Sequence, residues 1–398
     1  MCFAACKATL QKFQKYLIGK DNMKRTFAFL GAALAMLSAT ALHAEEYTGA
    51  PRTFLYNPAL EVCFKDTTQY KKAGPYTIGF SNAGLGDSWR VVMQHSIMRA
   101  AAANKADIKQ LLITDAGHDD AKQIADIQDL ISRGVDLLIV SANTQKALDP
   151  VVTQAMKKGI PVVMVDRRIA SDNFVTFVTA SDAMMGRLWA QWIVEKLNGK
   201  GNVIILAGQA GSSPSENRIK SAKQVFAQYP GIKILDTVYS DWSPVKGKQV
   251  MQAAISKYGK SINAVWAAHG LQVSGSIEAF IEAGFKDGEI PMHTTADLNG
   301  PMQLALKHNI PMLEIGYPPA MGGASVSAAL QVLKGAPVPC LYEINAQIAT
   351  TDGKGTASVR PDLSFKDLVS PKGPANLLVT GGMGKDYNPT TYKVDYPK

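Results

Sequence analysis

Histidine and cysteine are scarce in this chain, and the few present are not spaced for chemistry. The six histidines are scattered, one of them, His43, close to the N-terminus, and His118-Asp119-Asp120 reads as a solvated helix start. No Cys/His cluster has metal-ligand spacing, and no His-Glu-x-x-His motif, Gly-x-Ser-x-Gly elbow or phosphate-cradling P-loop occurs. Neither an enzyme nor a cofactor is therefore expected. Long apolar runs are lacking as well: residues 27–37 form the longest near the N-terminus, too short to span a bilayer comfortably. Charge of one sign is in excess only superficially. The formal net charge is +9, but residues 1–44 carry Lys7, Lys12, Lys15, Lys20, Lys24 and Arg25 against Asp21 alone, five of the nine. What remains is too diffuse for a phosphate-binding surface, and no helix-turn-helix precedes the first strand, so nucleic acid is not an expected partner.

What is present at the N-terminus is a basic triplet, Met23-Lys24-Arg25, an apolar stretch, and small residues that allow cleavage after Ala44 or Ala41. This is the pattern of a secretory signal peptide with its start at Met23, and residues 1–44 are read as a leader. Removing it removes Cys2 and Cys6 and leaves Cys63 and Cys340. An even pair in an exported chain points to a disulfide, with two separate buried thiols as the alternative.

At 398 residues with 46% apolar content, the chain has material for two packed domains. After an irregular lead over residues 45–75, short apolar runs alternate with amphipathic segments. The runs at 76–81, 108–114, 135–140 and 161–165 read as strands, separated by helical patterns near 88–104, 119–133 and 145–158. Strands alternating with helices of that length need right-handed crossovers and a parallel sheet covered on both faces. A second series follows the helix at 182–197: strands at 202–206, 232–238, 264–267 and 292–295, with helices near 215–228, 245–258, 272–283 and 299–307. A strand at 310–316, a helix at 319–333 and a crossing at 342–349 complete it. The fold class is therefore α/β, two doubly wound parallel-sheet domains: residues 76–180 plus 318–345, and residues 181–317 plus 346–398. From Thr351 onward periodicity fades and an irregular tail is expected.

Two such domains leave a crevice between the carboxyl ends of their strands, where open α/β sheets place ligands. The candidates stand just after strands. Asn82, Trp89 and Arg90 follow the first, in a loop whose Gly84-Leu85-Gly86 matches only part of a dinucleotide fingerprint. Asp166 and Arg167 follow the fourth, and a carboxylate beside a planar guanidinium suits the adjacent hydroxyls of a ring. Arg218 lies near a helix start, Trp242 follows Asp241, His269 follows a strand ending at Ala267, and Asp297 follows Ala296. A turn or core role is the plain alternative for each, and their recurrence at strand ends favours a site.

Over residues 76–350 the sequence resembles the periplasmic sugar-binding proteins of ABC importers, in the ribose- and galactofuranose-binding branch. The resemblance rests on Ile78-Gly79-Phe80-Ser81 with Trp89-Arg90, on Val163-Met164-Val165-Asp166-Arg167, on Asn217-Arg218, on Ser240-Asp241-Trp242 and on Tyr317-Pro318-Pro319. It implies a type I periplasmic binding protein fold joined by a three-crossing hinge, with crossings near Ala180, Tyr317 and Thr350. It implies Trp89 and Trp242 on either side of a sugar ring, Asp166, Arg167 and Arg218 on its hydroxyls, and Asp297 and Tyr317 at the second-domain wall and hinge. The expected partners are a sugar-like small molecule and an inner-membrane ABC permease, or alternatively a sensor kinase or chemoreceptor, with the protein a periplasmic monomer. One departure stands out: His269 is followed by Gly270-Leu271 where that branch commonly has Asn-Asp, which removes two polar groups.

Overall fold

The computed structural model of the chain describes residues 63–398 apart from 382, 384–386, 389 and 390. The leader, Cys2, Cys6 and residues 45–62 of the N-terminal lead lie outside the described residues.

The first lobe is built on β2 (Tyr76–Asn82), β3 (Ile108–Asp115), β4 (Leu137–Ser141), β5 (Val162–Val165), β6 (Thr176–Thr179) and β13 (Leu341–Glu343). These strands are parallel and lie in the order β13-β6-β5-β4-β2-β3. Every residue of β4 and β5 is buried, as expected for strands covered on both faces. The covering helices are α1 (Ser88–Ala103), α2 (Asp120–Ser132), α3 (Gln145–Lys157) and, from later in the chain, α9 (Met321–Leu333). Helix α9 approaches α1 so closely that a Cβ on Gly322 would lie 2.4 Å from the Met93 carbonyl.

The second lobe contains β7 (Lys200–Ala207), β8 (Gly231–Tyr239), β9 (Ala264–Ala267), β10 (Met292–Thr295), β11 (Met312–Ile315), β14 (Ile348–Thr350) and β15 (Leu363–Ser364). Their order is β15-β14-β11-β10-β9-β7-β8, parallel except where β14 runs against β11. Packed with it are α4 (Asp182–Lys196), α5 (Ser213–Phe226), α6 (Pro244–Tyr258), α7 (Val273–Glu282) and α8 (Asn299–Lys307). Trp189 and Trp266 meet edge to face in its core.

The structure departs from the sequence expectations in four places. Strands β6 and β13 extend the first sheet beyond the expected strands, because Thr-Phe-Val-Thr places hydroxyl residues at both ends rather than forming a continuous apolar run, and Leu-Tyr-Glu is only three residues long. The third crossing between the sheets occupies residues 344–347, ahead of Thr350, since Ile348–Thr350 is already paired with β11. The tail is not wholly irregular: β15 leads into α10 (Phe365–Leu368), whose Phe365 is buried. Nor does the tail stay with the second lobe. Pro397 accepts a hydrogen bond from the Leu111 amide of β3, and Tyr387 and Tyr392 stand against His95 of α1.

The lead is fastened at its first described residue. Cys63 and Cys340 form a disulfide, and β1 (Phe64–Lys65) pairs antiparallel with β12 (Val338–Pro339) beside it. Among the described residues no helix is long and apolar enough to cross a membrane.

Candidate functional site

The carboxyl ends of both sheets converge on a small cavity. Its first-lobe wall begins where β2 stops. The Asp87 carboxylate caps α1 by accepting from the Arg90 amide at 2.9 Å, which sets Trp89 and Arg90 in the first turn. The Arg90 guanidinium is buried. It pairs with Asp166 Oδ2 at 2.8 Å and donates to Ser141 Oγ at 2.9 Å and to Asn82 Oδ1 at 3.3 Å. Ser141 itself donates to Asp166 at 2.9 Å.

Asp166 follows the last residue of β5 with φ +61°, in the left-handed region that Asp tolerates better than most residues. Arg167 beside it is buried, with Nε 3.7 Å from the Asp166 carboxylate and Nη1 donating to Gln209 Oε1 at 3.0 Å. Burial, reinforced by Arg90 and opposed by Asp166, lowers its pKa to about 9, so it remains a cation at neutral pH.

The second lobe contributes Arg218 from α5. Its Nε donates to Asp182 at 2.8 Å and its Nη1 to the Ala268 carbonyl at 2.7 Å, while the guanidinium lies 4.2 Å from the centre of the Tyr317 ring. Its Nη2 is buried and makes no hydrogen bond within the protein. Burial pushes the Asp182 carboxyl up to about 6 against the pull of Arg218.

Trp242 and Asp241 have φ +60° and +50°, and the Trp242 ring lies directly on Gly208, where an added Cβ would come within 2.1 Å of it. Only glycine permits that approach. Trp242 meets His269 edge to face at 6.1 Å. Nδ1 of His269 accepts from the Leu271 amide at 3.3 Å, which leaves Nε2–H to donate to Asp297 at 3.1 Å.

Tyr317 joins the lobes. Its hydroxyl meets Thr179 Oγ1 at 3.0 Å and donates to the Asp166 carbonyl at 2.9 Å, and burial raises its pKa well above the usual phenol range. Its carbonyl accepts from Trp89 Nε1 at 2.6 Å, with the two rings stacked 5.4 Å apart.

Of the sequence candidates, Trp89, Arg90, Asp166, Arg167, Arg218, Trp242, His269 and Tyr317 line the cavity. Asn82 and Asp297 stand behind it. Asn82 supports Arg90, whereas Asp297 holds His269 and, through its other oxygen, the Tyr317 amide at 2.7 Å and Thr380 Oγ1 at 2.9 Å. Three further liners are Asp87, Pro214 and Leu271. Neither Asp87, a helix-capping aspartate, nor Leu271, two residues after His269, is of a type that signals a ligand contact. Glu314 in β11, behind Asp297, was not singled out at all. Burial and the neighbouring Asp297 push its carboxyl well above the usual range. The arrangement is a polar network of fixed donors and acceptors flanked by aromatic faces. Among the described residues no group of His, Cys, Asp and Glu is placed to hold a metal ion.

Comparison with known proteins gives a consistent picture. The model of a periplasmic binding protein domain matches residues 78–337. The galactofuranose-binding protein YtfQ of Escherichia coli (strain K12) is 33% identical over 223 residues, covering 54% of this chain and 69% of that protein. The ribose import binding protein RbsB of Bacillus subtilis (strain 168) is 29% identical over 209 residues, covering 52% of this chain and 67% of that protein. Among solved structures, a galactofuranose binding protein superposes with a TM-score of 0.63 at 29% identity, covering 69% of this chain and 94% of that one. The fructose binding periplasmic domain of a hybrid two component system gives 0.63 at 30% identity, covering 69% and 90%.

Proposed function

Because this chain belongs to the periplasmic binding protein domain family, we propose that it captures one sugar or sugar-like polyol between its lobes and catalyses no reaction. The observation that carries this is the buried network of Arg90, Asp166, Arg167 and Arg218 at one cavity, with Arg218 Nη2 unpartnered within the protein. A ring hydroxyl both donates and accepts, so it satisfies a carboxylate and a guanidinium together, and the C–H face of a ring matches Trp89 and Trp242. A neutral polyol suits cations already paired with carboxylates, because it adds hydrogen bonds without a further charge to bury.

The ligand is delivered to an ABC permease of the inner membrane by a chain exported through its leader, and the lobes close by rotating about the three crossings near residues 180, 317 and 345. A sensor in place of a permease is the second reading. It is favoured by the likeness to the two-component sensor domain.

The test is a thermal-shift and calorimetric screen of pentoses, hexoses and polyols against the purified protein. At least one should raise the melting temperature, with a stabilisation of about 2.7 kcal/mol at a hundredfold excess over Kd. Asp166→Ala should weaken that binding by about 2 kcal/mol or more, since it strands Arg90. A panel with no binder, or a variant that binds like the parent, would refute the proposal. Loss of labelled-sugar uptake on gene deletion supports the permease, and loss of a transcriptional response alone supports the sensor.

A further inference from the structure

We propose that the captured molecule is a neutral glycoside, its sugar ring held in the cavity and its aglycone lying in an adjoining chamber built in part by the C-terminal segment. This rests on the sugar-capture reading above and specifies its substrate class.

The chamber, about 680 Å³ in volume and open to solvent, lies between the lobes. It shares Asp87, Trp242 and Leu271 with the ring cavity, so those three residues form the sill between the two spaces. Two of the three are apolar, and the third, Asp87, already accepts from the Arg90 amide through one carboxylate oxygen. Leu271 has no polar side-chain atom, and Trp242 has only its ring nitrogen. A free hydroxyl directed at Leu271 would leave water and gain no partner there. A carbon, or an ether oxygen that continues into a substituent, loses nothing at the same point. The polar demand of the ring is met by Arg90, Asp166 and Arg167, which line the ring cavity and not the chamber.

Close packing and hydrogen bonds shape both walls of the chamber. On the first-lobe side the His118 ring lies against Gly84 and Gly86. A Cβ on Gly84 would come within 2.6 Å of that ring, so bare backbone at this position makes the room. On the far side the wall includes Asn376. That segment is tied to the start of α8. The Asn299 side chain donates to the carbonyls of Ser370, Gly373 and Pro374, and the Asn299 and Gly300 amides donate to Leu377 and Ala375. Residue 376 also lies beyond residues 78–337, the span matched by the family model, so the chamber draws on a part of this chain outside the shared core.

The charge around the chamber decides between classes of substituent. Asp87 and Asp241 are its acidic groups, the latter paired with Lys246. His118 is held towards its neutral form, chiefly by burial and secondarily by Arg167 and Arg90. A phosphate would face two carboxylates with no cation lining the chamber. A second sugar could donate hydroxyls to those carboxylates, and a short alkyl group would meet Leu85, Val91, Trp242 and Leu271.

Calorimetric titration of the full chain tests this with matched probes: D-ribose, D-fructose and D-galactose against their methyl β-furanosides, with D-ribose 5-phosphate as the anionic arm. In at least one pair the glycoside should bind about tenfold more tightly than the free sugar, a difference of about 1.4 kcal/mol. The phosphate should bind more weakly than ribose. Asn376→Trp, which narrows the chamber, should reduce the glycoside's affinity more than the free sugar's, and Leu271→Asn should narrow the gap within the pair. If the free sugar matches or exceeds its glycoside in every pair, or Asn376→Trp lowers both affinities equally, the chamber holds no aglycone although sugar capture stands. If neither free sugars nor glycosides bind, both readings fail.

Discussion

Asp166, Asp241 and Asp297 each follow a strand end and each adopt φ between +50° and +61°. Left-handed backbone turns the chain sharply at the strand terminus, and Asp is among the few non-glycine residues that accept it at modest cost. Two of these side chains do structural work of opposite kinds: Asp166 anchors the cationic wall, and Asp297 braces His269 and the Tyr317 amide. A different buried group contributes to the acid response. His293 in β10 lies between Ser276 Oγ and the Pro291 carbonyl, each at 2.8 Å, and burial lowers its pKa to about 4. The folded state therefore holds it neutral while the unfolded chain takes up a proton near pH 6.5. The stability it contributes is present above that pH and is lost as pH falls towards 4, by about 3 kcal/mol. Asp182 acts in the opposite sense. Its raised pKa contributes stability that is present below about pH 4 and lost as pH rises through about 6. Urea denaturation of the parent and His293→Leu across that range isolates the histidine: the parent should lose about 3 kcal/mol more than the variant, and parallel curves would refute the assignment. The strand-end aspartates were legible because position after an apolar run is a sequence feature. Glu314 was not, since its partner Thr380 lies 66 positions away and a single glutamate within a strand carries no mark of burial.

Elements fold here largely as their periodicity dictates, and the strands that had no periodicity are the ones held by distant partners. β13 pairs with β6, and β1 with β12, only because the chain returns from far along its length. The helices were legible from three- and four-residue spacing, and the buried strands from continuous apolar runs. Two- and three-residue strands leave no such trace. The β1–β12 ribbon makes a specific prediction. Its disulfide closes a loop with a sequence separation of 277, so it constrains a large part of the unfolded chain. Cys63→Ser/Cys340→Ser should lower unfolding stability by about 2–4 kcal/mol, read as a shifted urea midpoint. Unchanged midpoints with and without reductant would mean that the ribbon contributes nothing.

Across the whole molecule the lobes touch directly as well as through the crossings. Arg167 donates to Gln209, Gln209 donates to Asn143 at 2.9 Å, and the Arg168 amide donates to Ser213 Oγ at 2.9 Å. On the proposed hinge motion, these bonds would hold the lobes together and favour the closed form. Gln209→Ala should shift the unliganded protein towards the open form, raise its radius of gyration in small-angle scattering and weaken sugar binding by about 1 kcal/mol. Equal radii and equal affinities would show that the bridge does not couple to closure. The tail adds a constraint that no local sequence pattern announced. Thr380 binds Asp297 and Glu314 in the second lobe, and by Tyr387 the chain lies on the first. The most direct test is a crystal structure grown with the tightest-binding sugar from the screen. The account predicts density for one ring enclosed by Asp166, Arg218 and Trp242, with a ring hydroxyl on Arg218 Nη2. Density for that sugar on an outer surface, with the cavity among these three residues holding only water, would contradict it.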